Sequence, residues 1–214
     1  MSRPTVVIAA QAVLDIDAAR RLADYDDLDD AGITRAVEQL HTQRWGRWDL
    51  PAHLAAIDRL CVVIVERGHV RRVDLSRQAL GSESALLDAL VDVMPATRAD
   101  LVDWDGHDVA TLLARCVATD RQLPRALAGA ATHRLAGWVA PTAADHPAPD
   151  RAFEDECRAI FAAHDVPAAI APGSIAARAS ARTRLWWRLA HATRRLHPAR
   201  RADLETQLAA LEPS

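Results

Sequence analysis

The sequence contains no lysine and no asparagine, so all 26 of its Lys or Arg residues are arginines. Alanine, leucine and aspartate are abundant beside them, a composition typical of GC-rich coding. This bias affects how single positions are interpreted. Where a related protein has an asparagine, a different residue in this chain reflects coding pressure as readily as a change in chemistry.

Further absences limit the class of protein and its compartment. No apolar run approaches the ~20 residues that a membrane-spanning helix needs. The first residues lack the apolar core and small-residue cleavage site of a secretory signal. Cys61, Cys116 and Cys157 lie far apart without a Cys-x-x-Cys pair, which argues against a disulfide framework or a zinc site. We therefore expect a cytoplasmic protein without membrane contact, whose cysteines are buried as small apolar residues.

The familiar catalytic motifs are also missing. There is no glycine-rich phosphate loop, no Gly-x-Ser-x-Gly turn and no His-Glu-x-x-His helix, and the histidines are scattered without ligand spacing. The first apolar segment, residues 5–12, is typical of a buried strand but carries no carboxylate. These motifs therefore assign the chain to no enzyme class.

Apolar periodicity predicts an α/β protein with a mixed sheet flanked by helices. The pair of strands around Gly68 has the alternation of a hairpin with one wet face. The predicted order is strand, two helices, hairpin, helix, strand and helix, at residues 5–12, 16–23, 33–40, 60–65 with 70–75, 85–93, 100–104 and 108–117.

The C-terminal part of the chain is predicted to be helical. A stretch with three prolines, residues 141–150, is the one clear flexible connection. Helical spacing follows it at 153–163 and 175–197, and Pro198 is suited to the first position of a last helix that runs to Leu211. We expect a single domain over residues 1–214, with a helical part over 151–214.

Charge is distributed unevenly. Residues 15–30 hold seven acids, whereas residues 166–202 hold eight arginines and no acid. Arginines combined with aromatic side chains can neutralise a phosphate backbone and stack on bases, although such arginines are also often merely solvated. The candidates for nucleic-acid contact are Arg178, Arg182, Arg184, Arg188 and Trp186.

Three motifs occur in an order similar to that of a known family. They are Leu-Pro-Ala-His-Leu at residues 50–54, Leu-Val-Asp-Trp-Asp-Gly at 101–106, and a helix start at Asp108. They resemble the Leu-Pro-x-His-Leu, Leu-Val-x-Trp-Asn-Gly and Phe-Asp-Leu-Pro motifs of a predicted 3′-5′ exonuclease family related to the proofreading domain of family B DNA polymerases. The resemblance implies an RNase H-like fold and metal-dependent cleavage of nucleic acid.

The chain departs from this family at its acidic positions. The resemblance places Ala9, Gln11 and Ser180 where metal-binding acids would be, Ala176 where a tyrosine would be, and leaves Asp108 as the one retained acid. Two-metal hydrolysis requires several carboxylates around ions ~3.5 to 4 Å apart. We therefore expect no cofactor, with Mg²⁺ or Mn²⁺ required only if the protein is active.

Other acids are candidates to replace the lost ligands. Asp15 and Asp17 would share one face of a strand, but capping of the following helix is the favoured interpretation. Asp103 and Asp105 flank the end of the strand before Asp108. His107 with Asp108 has the composition of a general-base pair, for which a helix-dipole role of Asp108 is the favoured alternative.

Three hypotheses follow. The preferred one is a catalytically inactive or weakened homologue of the exonucleases that binds single-stranded DNA, RNA or a protein partner. The second is an active metal-dependent 3′-5′ exonuclease that uses the substitute carboxylates. The third is a protein-interaction scaffold without a nucleic-acid role.

Overall fold

A computed structural model of the chain describes residues 3–23, 25, 27–45, 50, 52–122, 124–128, 130–135 and 174–212. Within these residues the chain forms five strands, seven α-helices and one 3₁₀ turn. In chain order they are β1 Thr5–Leu14, α1 Ile16–Leu22, α2 Asp30–Trp45, the 3₁₀ turn Ala52–Leu54, β2 Ala55–Glu66, β3 His69–Ser76, α3 Arg77–Leu80, α4 Glu83–Val93, β4 Asp100–Asp103, α5 His107–Ala118, β5 Thr132–Arg134, α6 Ile175–Ala192 and α7 Pro198–Ala209.

The strands form one mixed sheet in the order β3-β2-β1-β4-β5. β1, β2 and β3 are antiparallel neighbours, whereas β4 runs parallel to β1 and β5 runs parallel to β4. A register shift between Gln11 and Ala12 bends the end of β1 against β2. The predicted α/β class with a mixed sheet is confirmed.

Successive residues of β1 point to opposite faces of the sheet, because the side-chain period of a strand is two. Val7 and Ala9 belong to the apolar cluster that α6 and α7 cover. Val6, Ile8 and Ala10 belong to the cluster that α4 and α5 cover. The sheet is therefore buried on both faces, which explains why β1 is almost uniformly apolar.

A smaller apolar cluster lies beyond the end of β1. It joins α1, α2 and the 3₁₀ turn through Ala19, Ile33 and Leu54. Asp15 caps α1 by accepting a hydrogen bond from the Ala18 amide at 2.9 Å. The capping role predicted for this acid is confirmed.

The hairpin between β2 and β3 supports α7. Gly68 adopts φ +88, and a Cβ at this position would lie 1.5 Å from a guanidinium nitrogen of Arg200. Gln207 of α7 accepts a hydrogen bond from the Val70 amide at 2.9 Å and donates one to the Gly68 carbonyl at 3.1 Å. A side chain at Gly68 would therefore require the end of the Arg200 side chain to move, and its Cβ would be strained at this positive φ.

Some predicted boundaries differ from the structure. The helix predicted for residues 175–197 ends at Ala192, and Arg194 then adopts φ 59 in the turn before α7. The four-residue α3 and the three-residue β5 were not predicted, since neither is long enough to show a period. The predicted connection at 141–150, the helix at 153–163 and Cys157 lie outside the described residues.

Cys61 and Cys116 are buried and unpaired, as predicted. Burial raises the pKa of the Cys61 thiol, and burial also raises the pKa of Cys116. Both are therefore held as neutral thiols. None of the helices in the described part of the chain combines the length and the apolar character that a membrane crossing requires.

Candidate functional site

The candidate site lies where β1 continues beyond its partner β4. Their parallel pairing ends at Val7 and Val102. Beyond this point, three main-chain groups of β1 bond to side chains from α5 and α6. The Ile8 carbonyl accepts from Arg182, the Ala10 amide donates to Asp108, and the Ala10 carbonyl accepts from Arg178. Side chains thus take the place of a neighbouring strand.

Arg182 is the centre of this site. Its Nη1 lies 2.7 Å from the Ile8 carbonyl oxygen, 2.5 Å from Oδ2 of Asp108 and 3.4 Å from Oδ1 of Asp103. Only 4% of the residue is exposed. A single cationic nitrogen is therefore surrounded by three oxygens from three parts of the chain, in an ion-pair cluster that joins α6 to α5 across the sheet.

Asp103 is fully buried at the end of β4. Its two oxygens accept hydrogen bonds from the Trp104 amide at 2.6 Å and the Val109 amide at 3.1 Å, and the second bond caps α5. Burial and then the charge of Asp108 raise the pKa of Asp103 to about 6, although Arg182 opposes the shift. This carboxyl therefore changes protonation at mildly acidic pH.

Asp108 lies in the first turn of α5, as the helix-dipole interpretation requires, but its carboxylate makes no capping bond to that helix within the described residues. Its carboxylate bonds to the Ala10 amide at 3.1 Å and to Arg182. The first turn of α5 is capped instead by Asp103 and by Asp105, which accepts from the His107 amide at 2.8 Å. His107 is exposed, and within the described residues no bond joins it to Asp108.

The positions of the lost acids differ in their surroundings. Ala9 is fully buried in the apolar cluster beneath α6, and Gln11 is exposed. Ala176 packs against that same cluster, while the buried Ser180 hydroxyl has no hydrogen-bond partner among the described residues. The residues of α6 that extend to the site are Arg178 and Arg182, which are also four apart and hence on one face of the helix.

Arg178 is bound much more loosely than Arg182. It is half-buried, and among the described residues its side chain makes one hydrogen bond, from Nη2 to the Ala10 carbonyl at 3.1 Å. Its Nε is buried and has no partner in that part of the chain. Burial and the neighbouring charge of Arg182 lower the pKa of the guanidinium, and Asp108 raises it by less. The positive charge of Arg182 is therefore balanced by two carboxylates, whereas that of Arg178 is bonded to a neutral carbonyl.

The substitute acids are engaged elsewhere. Asp15 caps α1 and forms an ion pair with Arg115 at 2.8 Å, and Arg115 also makes bonds of 2.6 to 3.1 Å to Glu83. Glu83 in turn accepts from the Ile57 amide. Asp17 and Asp105 are exposed. Of the four substitutes, Asp103 alone shares an ion-pair partner with Asp108.

The predicted nucleic-acid contacts have different surroundings. Arg182 is buried, and Arg184 forms an ion pair with Glu212 at 2.7 Å. Arg188 is half-buried and already interacts with another group of the protein. Trp186 is half-buried with its ring 4.5 Å from that of His133. The exposed arginines in this part of the chain are Arg194 and Arg195, on the turn between α6 and α7, and Arg200, which pairs with Asp203.

These residues do not fit a divalent metal site. Nη1 of Arg182 lies between the two carboxylates and the Ile8 carbonyl, where an ion would need its ligands. Across the part of the chain that the structure describes, no group of three or more His, Cys, Asp or Glu side chains is arranged to hold a metal ion. A fixed guanidinium supplies the positive charge at this position.

Sequence reasoning missed the role of the arginines in the site. The available signal was the i, i+4 pair of arginines in an acid-free helix with buried apolar neighbours. No model of a known protein family matches the chain, and a search of curated proteins likewise finds no match.

Proposed function

We propose that this protein is an RNase H-like relative of the polymerase B-type 3′-5′ exonucleases that does not hydrolyse phosphodiesters and acts by binding nucleic acid. The observation that carries the first part is the position of Arg182. Its guanidinium is bonded to Asp108, the one retained acid, and to the Ile8 carbonyl. A covalently attached cation cannot activate a water molecule as two metal ions do.

The placement of the family-like motifs supports the assignment to this fold. Residues 50–54 lead into β2, residues 101–106 span the end of β4 and the start of α5, and Asp108 bonds to β1. The motifs therefore meet around one end of β1. A shared fold would bring the three motifs together in this way, and their convergence supports the proposal.

Charge supports nucleic acid as the partner. α6, the following turn and the start of α7 carry eight arginines without an acid as far as Ala202. Although Arg182 and Arg184 are paired internally, Arg194 and Arg195 are exposed. Exposed arginines bind phosphates through counterion release, so binding of this kind weakens steeply with added salt.

The loss of hydrolysis is tested with uniformly labelled single-stranded DNA and RNA in the presence of Mg²⁺ or Mn²⁺. We expect no release of mononucleotides by the wild type. Release that the Asp108→Ala variant abolishes would show an active exonuclease and refute the proposal. Release that survives in Asp108→Ala would indicate a contaminating nuclease, and the assay is then decided on repurified protein.

Binding is tested by fluorescence anisotropy over a salt series with the same oligonucleotides. We expect the affinity to fall with salt and to weaken in the double variant Arg194→Gln/Arg195→Gln. The matched control is Arg200→Gln/Arg201→Gln, whose arginines already pair with Asp203 and Glu205. Absence of salt-dependent binding would leave the protein-interaction scaffold as the better hypothesis.

A further inference from the structure

β3 is an edge strand of the sheet. Among the described strands it pairs with β2 alone, so one of its two sides faces outward. The amide and carbonyl of successive residues in a strand point alternately to its two sides. Because the Val70 amide donates to Gln207 rather than to β2, the even-numbered residues of β3 direct their main-chain groups outward. In the middle of the strand these residues are Arg72 and Asp74.

The outward main-chain groups of Arg72 and Asp74 bond to no other group within the described residues. At one end of the strand, the Gln207 side chain already bonds to the Gly68 carbonyl and the Val70 amide. At the other end, Ser76 is the N-cap residue of α3. An unpaired edge is a template on which a further strand can pair. The open part of this edge is short and is closed at both ends.

The side chains on this open stretch carry opposite charges two residues apart. Arg72 and Asp74 lie on the same face of β3, and Nε of the arginine bonds to the carboxylate at 3.0 Å. The Asp74 side chain is 49% exposed, which leaves its carboxylate accessible to a second guanidinium. A pairing strand with charges of one sign would place a like charge opposite either Arg72 or Asp74, which is unfavourable.

A second copy of β3 satisfies both charges at once. When two copies pair antiparallel about a two-fold axis at Val73, Arg72 of each copy lies directly opposite Asp74 of the other. Opposite charges in directly opposed positions stabilise a pair of strands. The same register places the outward amides and carbonyls of these residues opposite each other, so that they exchange about four main-chain hydrogen bonds.

Val73 lies on the other face of β3 and is half-buried. It is paired with Val62 of β2, whose side chain belongs to the apolar cluster that α4 and α5 cover. In the two-fold arrangement, the valines of the two copies form a non-hydrogen-bonded pair, in which the Cα atoms approach to ~4.5 Å. Each valine therefore covers the exposed part of the other.

We propose that this protein forms a symmetric dimer in which β3 pairs antiparallel with β3 of a second copy, centred on Val73. The two five-stranded sheets then join into one continuous sheet. Because the open stretch is short, the interface is small, and we expect a dissociation constant of about 10 to 100 μM. The inference does not depend on the proposed nucleic-acid function.

The first test is sedimentation velocity of the full chain, without nucleic acid, from about 1 to 500 μM. We expect the wild type to change from monomer to dimer across this range. A wild type that stays monomeric throughout would overturn the proposal.

The register is tested by exchanging charges. Arg72→Asp and Asp74→Arg each place like charges opposite each other, so each variant alone should dimerise at least about tenfold more weakly than the wild type. An equal mixture of the two variants restores opposite charges at every position and should form a heterodimer about as tightly as the wild type. Absence of this heterodimer, or unchanged dimerisation of both single variants, would contradict the register.

A matched control makes the same charge changes away from β3. Arg195→Asp and Glu38→Arg alter exposed side chains on the turn after α6 and on α2. Each should dimerise like the wild type, alone and in the mixture. If the control variants lose dimerisation as strongly as Arg72→Asp and Asp74→Arg, net charge rather than pairing of β3 controls association, and the proposal fails.

Cross-linking locates the interface without changing a charge. Val73→Cys places two thiols at the two-fold axis, and oxidation should give a covalent dimer on a non-reducing gel. The comparison variant is Val117→Cys, at a position on α5 that is 83% exposed. The wild type measures the background from its own cysteines, of which Cys61 and Cys116 are buried. Cross-linking through Val117→Cys that equals or exceeds that through Val73→Cys would overturn the proposal.

Discussion

Arg115 is buried and Arg178 is half-buried, and the surroundings of the two guanidinium groups are opposite. Arg115 makes three bonds to Glu83 and one ion pair to Asp15, and although burial lowers its pKa, these carboxylates together raise it. Arg178 bonds to one carbonyl, and burial together with Arg182 lowers its pKa. The charge of the first arginine is balanced by two carboxylates, whereas no carboxylate of the described residues forms an ion pair with the second.

The largest expected difference comes from the matched pair Arg115→Gln and Arg178→Gln. Removing Arg115 leaves Glu83 and Asp15 partly buried without their cation, which should cost about 3 to 5 kcal/mol of unfolding free energy. Removing Arg178 should cost less than about 1 kcal/mol, because no carboxylate loses its partner. Urea unfolding in phosphate-free buffer measures both, and similar losses for the two variants would break the comparison.

Arg182→Gln should have an intermediate effect. It leaves Asp103 and Asp108 together without the guanidinium, but Asp103 can relieve the repulsion by taking up a proton. We therefore expect a loss of about 2 to 3 kcal/mol at neutral pH, smaller than for Arg115→Gln. With the guanidinium gone, Mn²⁺ should raise the stability of Arg182→Gln but leave the wild type unchanged. Stabilisation of the wild type by Mn²⁺ would contradict the role given to Arg182.

The smallest expected effect is on pH dependence. The pKa of Asp103 rises from 3.8 to about 6 on folding, so the folded protein holds this proton more tightly than the unfolded chain. The resulting stabilisation is fully present below about pH 4 and is lost as pH rises through about 6. Asp103→Asn should therefore have a flatter stability profile than the wild type between these values. Parallel profiles would show that Asp103 does not titrate in this range.

Much of the sheet followed from local pattern. β1, the hairpin and the strand-to-helix passage at Asp108 were predicted because apolar period and turn residues are local properties. β5 is three residues long and has no such pattern. Its extended conformation is held by hydrogen-bonded pairing with β4. The prediction that Asp15 caps α1 succeeded for the same local reason, since a capping residue acts within its own first turn.

The candidate site was harder to predict. An acid-free row of arginines indicates a solvated or phosphate-binding face, and this is the usual outcome for such rows. Arg182 is nevertheless buried, because the pairing of β4 with β1 ends at Val7. The next carbonyl of β1, that of Ile8, is therefore available to Arg182 of α6. The packing of α6 on the sheet also decided that Arg182 bonds to Asp108 and Arg178 to the Ala10 carbonyl, whereas Ala176 packs against the apolar cluster.

The sequence by itself determined the α/β class, the doubly buried character of β1 and the absence of carboxylates from that strand, since these depend on residue type and period alone. Tertiary structure decided which charged side chains form ion pairs with each other. Ion pairs between α5 and α6 depend on contacts across about 70 residues of intervening chain, as between Asp108 and Arg182, and no local pattern encodes their partners. The lost acids were visible in the sequence, but the guanidinium among the remaining oxygens was not.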